Sequence, residues 1–103
     1  MLDKRTLIDT VERYAEVVTK ELSPSAVVLF GSYVNGNPHQ DSDIDVGVVF
    51  DDFTGDWRQT AARLWKLRRG VSFDIEPHLL DRVNDDSGFA KHVFKTGQII
   101  YQA

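Results

Sequence analysis

The pattern of apolar and polar positions divides the chain into helical and extended segments. Near the start, apolar residues recur every three or four positions, as they do along one face of a helix. They are Leu7, Ile8, Val11, Tyr14, Ala15, Val18 and Leu22. Asp3 precedes this series as an N-cap, and Ser23-Pro24 follows it. The pattern therefore predicts a first helix that begins after Asp3 and ends near Ser23.

Two extended segments come after this helix. The uninterrupted apolar run from Ala26 to Phe30 predicts a buried strand that leads directly into Gly31 and Ser32. The segment from Ser42 to Phe50 first alternates and then becomes apolar, so it predicts a second strand beside the first.

The second half alternates helix and strand. Trp57, Ala61, Leu64, Trp65 and Arg68 lie on one face of a predicted helix that Gly70 ends, and we expect both tryptophans to lie in the core. A third strand is predicted from Val71 to His78, ending near Pro77. A last helix from about Ser87 to Gly97 and a short strand from Gln98 to Tyr101 follow. We expect an α/β (α+β) fold, a small mixed sheet covered by helices, as a single domain over residues 1–103.

The junctions between the first two strands carry groups that suit phosphate and metal chemistry. Gly31 and Ser32 directly follow a strand, so backbone N–H groups and the hydroxyl there could hold a phosphate. Asp43 and Asp45 lie two positions apart in the second strand and therefore share a face. Neighbouring carboxylates repel each other, whereas Mg²⁺ binds a few hard oxygen ligands. This pattern predicts a phosphate cradle beside a Mg²⁺ site.

A third acid is expected, because a two-metal site needs a further carboxylate to bridge the ions or to accept a proton. The third predicted strand places Asp74 and Glu76 on one face, so either acid could complete the site. We favour Asp74, which is flanked by apolar residues as Asp45 is. A solvated acid at the end of a strand would be the structural alternative.

Together these motifs resemble the DNA polymerase β nucleotidyltransferase superfamily, and in particular its minimal nucleotidyltransferase (MNT) branch. Gly31-Ser32, the Asp43-Ile44-Asp45 strand and the later Phe73-Asp74-Ile75 segment carry the resemblance, which extends over nearly the whole chain. It implies the nucleotidyltransferase fold, with Gly31 and Ser32 binding the phosphates of a nucleotide. It also implies that Asp43, Asp45 and Asp74 act as metal ligands and catalytic acids around two Mg²⁺ ions, and that ATP is the substrate.

The resemblance further implies a partner that supplies the acceptor. Larger relatives add a second domain for the acceptor, and we expect 103 residues to leave no room for one. MNT proteins are often paired with helical HEPN proteins, in which the MNT partner is an antitoxin that adenylylates a tyrosine of the HEPN toxin. This is the leading hypothesis. Two alternatives are transfer to a small molecule through a homodimer, and a non-catalytic module that neutralises a partner by contact.

Composition narrows the class of protein. A net charge of −4 argues against a broad nucleic-acid surface, and the basic residues Arg63, Lys66, Arg68 and Arg69 are expected to form a solvated helix face. The chain has no cysteine, and His39, His78 and His92 show no regular ligand spacing, so zinc is not expected. No segment has the length and apolar character of a signal peptide or membrane span, so a cytoplasmic location is expected.

Overall fold

The computed structural model describes residues 3–31, 33, 34 and 43–103. Within these residues, four strands form one sheet in the order β3-β2-β1-β4. The strands are Ala26–Phe30 (β1), Ile44–Phe50 (β2), Ile75–Asp81 (β3) and Gln98–Gln102 (β4). The helices are Lys4–Leu22 (α1), Trp57–Leu67 (α2) and Phe89–Thr96 (α3), and a 3-10 turn spans Arg68–Gly70. The predicted fold class is confirmed.

The pairing of the strands brings three strand ends together. β1 is antiparallel to both β2 and β4, whereas β2 and β3 are parallel. Phe30, the last residue of β1, lies opposite Asp45, and Asp45 in turn lies beside Glu76 of β3. The carboxyl end of β1 therefore meets the amino ends of β2 and β3 at one edge of the molecule.

The predicted first helix is confirmed at both ends. The Asp3 carboxylate accepts a hydrogen bond from the backbone N–H of Thr6, and Ser23 ends the helix in the left-handed conformation, with φ of 55°. Within α1, the buried Tyr14 hydroxyl donates to the carbonyl oxygen of Leu64 at 2.7 Å. Burial raises the pKa of the Tyr14 phenol, so the group stays protonated as this donor. This hydrogen bond ties α1 to α2.

The two faces of the sheet are covered differently. The face toward α1 and α2 carries the larger core, to which β1, β2 and β3 contribute Val27, Leu29, Ile44, Val46, Val48, Ile75 and Leu79. The opposite face packs α3 against Ala26, Val28, Val49 and Leu80. Because side chains alternate along a strand, Asp45 and Glu76 lie on this second face, beyond the part that α3 covers. No helix in the described ranges combines the length and apolar character needed to cross a membrane.

The third strand differs from the prediction at both ends. It begins at Ile75 rather than Val71, because the N–H groups of Val71 and Ser72 donate to the carbonyl oxygen of Arg68 and keep the chain in a turn. It continues through Pro77 to Asp81, because β3 is an edge strand that pairs with β2 alone. The second strand is confirmed over Ile44–Phe50. Asp43, which was predicted to lie within it, precedes the strand, and Ser42 lies outside the described residues.

The prediction that both tryptophans belong to the core is wrong. Trp57 and Trp65 are 45% and 41% exposed, and Leu64 is the residue of α2 that is buried. Trp65 instead lies under the Arg68 guanidinium, whose central carbon is 4.5 Å from the ring centroid. Arg63 is also engaged within the chain, through a 2.7 Å ion pair with Glu21.

Asp81 connects two loops at the end of the sheet away from Glu76. Its buried carboxylate accepts hydrogen bonds from the backbone N–H groups of Asp52, Phe53, Val83 and Asn84, at 2.8 to 3.2 Å. The hydrogen bonds from Asn84, followed by those from Phe53 and Val83, hold the pKa of Asp81 well below its usual range. The charged form of one side chain therefore fixes the loops that follow β2 and β3.

Substituting Asp81→Asn should lower the melting temperature at neutral pH, because the amide places an N–H group among backbone donors. The Asp81 carboxyl has a pKa of about 3.9 in the unfolded chain and a lower pKa in the folded protein. Its ionised form therefore stabilises the fold fully above about pH 4, and this stabilisation is lost as the pH falls further. The difference in melting temperature between wild type and variant should therefore narrow below about pH 4.

Thermal unfolding followed by circular dichroism between pH 7 and pH 2 measures this difference. The exposed Asp86→Asn variant is the matched control, and its difference from wild type should stay small throughout. A constant gap for Asp81→Asn across the whole range would contradict the assignment.

Candidate functional site

Three carboxylates gather on the second sheet face, at the end where β2 and β3 begin. Asp45 and Glu76 are direct partners across the parallel β2–β3 pair, and the exposed Asp43 precedes β2. Partial burial, the charge of Asp45 and a hydrogen-bonding contact with Asp43 raise the pKa of the Glu76 carboxyl above its usual range. The acids therefore lie close enough to repel one another, and a bound cation would relieve this repulsion.

Asp74 does not join this group in the described part of the chain. Its side chain is exposed in the turn before β3, and its backbone carbonyl accepts a hydrogen bond from Ile44 N–H at 2.8 Å. The ligand atoms that lie near Asp45 come instead from Glu76 and His78. The sequence offered Asp74 and Glu76 as the third acid, and Glu76 is the one whose carboxylate lies near Asp45.

His78 is the residue that sequence reasoning missed. One ligand atom from each of Asp45, Glu76 and His78 lies within 4.8 Å of the others, and His78 Nε2 is 3.1 Å from Asp45 Oδ1. Ligand spacing along the chain gave no hint of this. The usable signal was the two-residue period of the strand, which puts Glu76 and His78 on one face.

Gly31 approaches the acids from the end of β1. Its φ is +87°, and a Cβ atom built there would lie 2.2 Å from Asp45 Oδ2. Both the backbone conformation and the available space therefore require glycine. The Gly31 backbone, which the sequence predicted to bind a phosphate, lies beside the Asp45 carboxylate. Ser32, the other predicted phosphate ligand, lies outside the described residues.

The donor set suits a hard divalent cation. The carboxylate oxygens of Asp45 and Glu76, with Asp43 nearby, are the ligand type that Mg²⁺ prefers, and phosphate oxygens and water fill its other positions. A cation in such a site neutralises phosphate charge during group transfer.

Known proteins resemble this chain in sequence and in fold. The sequence model of the family described as "Polymerase beta, Nucleotidyltransferase" matches residues 12–103. No curated protein matches the sequence. A crystal structure from Sulfolobus solfataricus, of a protein described as a candidate nucleotidyltransferase, has a TM-score of 0.59 and 20% identity, covering 99% of this chain and 92% of that chain. A crystal structure described as a toxin-antitoxin with AMP-PNP has a TM-score of 0.63 and 25% identity, covering 89% and 73%.

Substituting Gly31→Ala should destabilise the protein by at least about 1–2 kcal/mol, the cost of a left-handed conformation for a residue with a Cβ atom. The clash with Asp45 adds to this cost and displaces the carboxylate. Thermal unfolding measures the effect. Gly70→Ala is the matched control, because a Cβ there meets nothing within 4 Å. Equal melting temperatures for the two variants would show that Gly31 is not constrained as described.

Proposed function

Because the chain belongs to the polymerase β nucleotidyltransferase family, we propose that it transfers a nucleoside monophosphate from a nucleoside triphosphate to a hydroxyl group, with Mg²⁺. The observation that carries the proposal is the group of carboxylates Asp43, Asp45 and Glu76 where β2 and β3 begin. In this proposal Glu76 takes the place of the third acid, for which the sequence favoured Asp74.

Each residue of the site has a role in this reaction. Asp43, Asp45 and Glu76 would hold the metal, and Gly31 and Ser32 would hold phosphate oxygens through backbone N–H groups and the serine hydroxyl. Two Mg²⁺ ions, when bound, would supply positive charge to the triphosphate and the leaving group. The acceptor oxygen bonds to the α-phosphorus, the bond from that phosphorus to pyrophosphate breaks, and the hydroxyl proton passes to a carboxylate of the site.

The proposed nucleotide is ATP and the proposed acceptor is a tyrosine of a HEPN-type toxin, with this chain as the antitoxin. The support is the likeness to a toxin-antitoxin structure with AMP-PNP, at 25% identity over 89% of this chain. This function would place the protein in the cytoplasm, where ATP and the toxin occur together.

ATP labelled at the α-phosphate tests the acceptor. The chain is incubated with labelled ATP and Mg²⁺, either alone or with a purified HEPN-type protein. Label on a tyrosine of that protein is the expected result. Label on a small molecule, or tight binding of the partner without any transfer, would replace the proposal with one of the two alternatives.

Substitutions in the carboxylates test the site itself. Asp45→Asn and Glu76→Gln should each lower the transfer rate at least about a hundredfold, because each removes a charge that holds the metal. Asp74→Asn, two positions from Glu76, is the matched control and should keep most activity. Circular dichroism confirms that each variant is folded. If Asp74→Asn abolished transfer and Glu76→Gln did not, Asp74 would be the third acid.

A further inference from the structure

The imidazole of His78 is held in a defined position on the second face of the sheet. Its centroid lies 5.1 Å from that of Phe30 and 6.4 Å from that of Phe89, and both aromatic rings meet it edge to face. Phe89 is the first residue of α3, and Phe30 is the last residue of β1. Two elements therefore fix the plane of a ring that belongs to a third.

The fixed ring determines the orientation of Asp45. His78 Nε2 lies 3.1 Å from Asp45 Oδ1, and the side chains are 30% and 25% exposed. A carboxylate that binds a metal is ionised, and its oxygens only accept hydrogen bonds, so Nε2 of His78 is the donor in that state. Rotation about the last torsion of an aspartate is broad when nothing restrains it. The hydrogen bond restrains it here, and the other oxygen, Oδ2, is left facing Gly31.

We infer that His78 is a positioning residue of the metal site, which holds the Asp45 carboxylate in the orientation that binds a divalent cation. This inference rests on the proposed function, because it assigns His78 a role in the metal site proposed there. Groups that hydrogen-bond to metal ligands typically contribute a factor of about 10–100 to metal affinity. His78 acts through Asp45, and Nε2 cannot also bind the metal, since a nitrogen that donates a proton has no lone pair to offer.

Cation binding without nucleotide tests the inference separately from catalysis. Mn²⁺ binding to the purified chain is followed by electron paramagnetic resonance, and Mg²⁺ binding by its competition with Mn²⁺. His78→Phe keeps an aromatic ring between Phe30 and Phe89 but removes the donor. His78→Gln keeps an N–H donor. The exposed His92 of α3 provides the matched control, His92→Phe.

The expected result is that His78→Phe weakens Mn²⁺ and Mg²⁺ binding by the same factor, about 10–100. His78→Gln should restore part of the loss, and His92→Phe should bind as wild type does. Circular dichroism and melting temperature show whether each variant is folded.

Four results would overturn the inference. Unchanged affinity in folded His78→Phe would show that the hydrogen bond does not orient Asp45. A much larger loss for Mn²⁺ than for Mg²⁺ would make His78 a direct nitrogen ligand. If Asp45→Asn lost binding while His78→Phe kept it, the metal site would stand and the role of His78 would fail. Absence of cation binding in wild type would remove both.

Discussion

Two carboxylates that repel each other lie side by side at the amino ends of β2 and β3, and the remaining structure holds them there. Asp45 and Glu76 are register partners in a parallel pair, an arrangement that disfavours like charges. Partial burial and then the charge of Asp45 raise the pKa of Glu76 above its usual range. On the other face of the same strands, Ile44 and Ile75 are fully buried partners. Burial of apolar area on one face therefore offsets charge repulsion on the other.

β3 carries acids at both ends, and their surroundings have opposite effects. Glu76, at the first end, is partly buried and lies near Asp45 and Asp43, and both effects raise its pKa. Asp81, at the last end, is surrounded by backbone N–H donors, and its pKa is lowered. A charge that is satisfied by fixed dipoles stabilises the loops, whereas a charge that is left with like neighbours remains available to a ligand. The strand thus separates the acid that holds the loops from the acid that we propose binds a metal by about 17 Å, at the usual rise for a parallel strand.

Local patterns were enough to predict much of this architecture. The helical period and Asp3 correctly predicted α1. The apolar run correctly predicted β2, which begins at Ile44 with Asp43 just before it. The start of β3 was predicted too early. The residues after Gly70 have a strand-like composition, but hydrogen bonds to the Arg68 carbonyl keep them in a turn. The exposure of Trp65 was not predicted because its ring packs against the Arg68 guanidinium instead of the core. This contact forms only once the turn is in place.

The choice between Asp74 and Glu76 could not be made from either segment alone. It depends on the register between β2 and β3, two strands that are far apart in the sequence. A shift of two residues would place Asp74 opposite Asp45 in place of Glu76, but it would also separate Ile75 from its buried partner Ile44. The hydrogen bond from Ile44 N–H to the Asp74 carbonyl holds the same register from the backbone. Which acid faces the site is therefore decided by the hydrophobic core on the opposite face, and Asp74 contributes to that choice through its main chain.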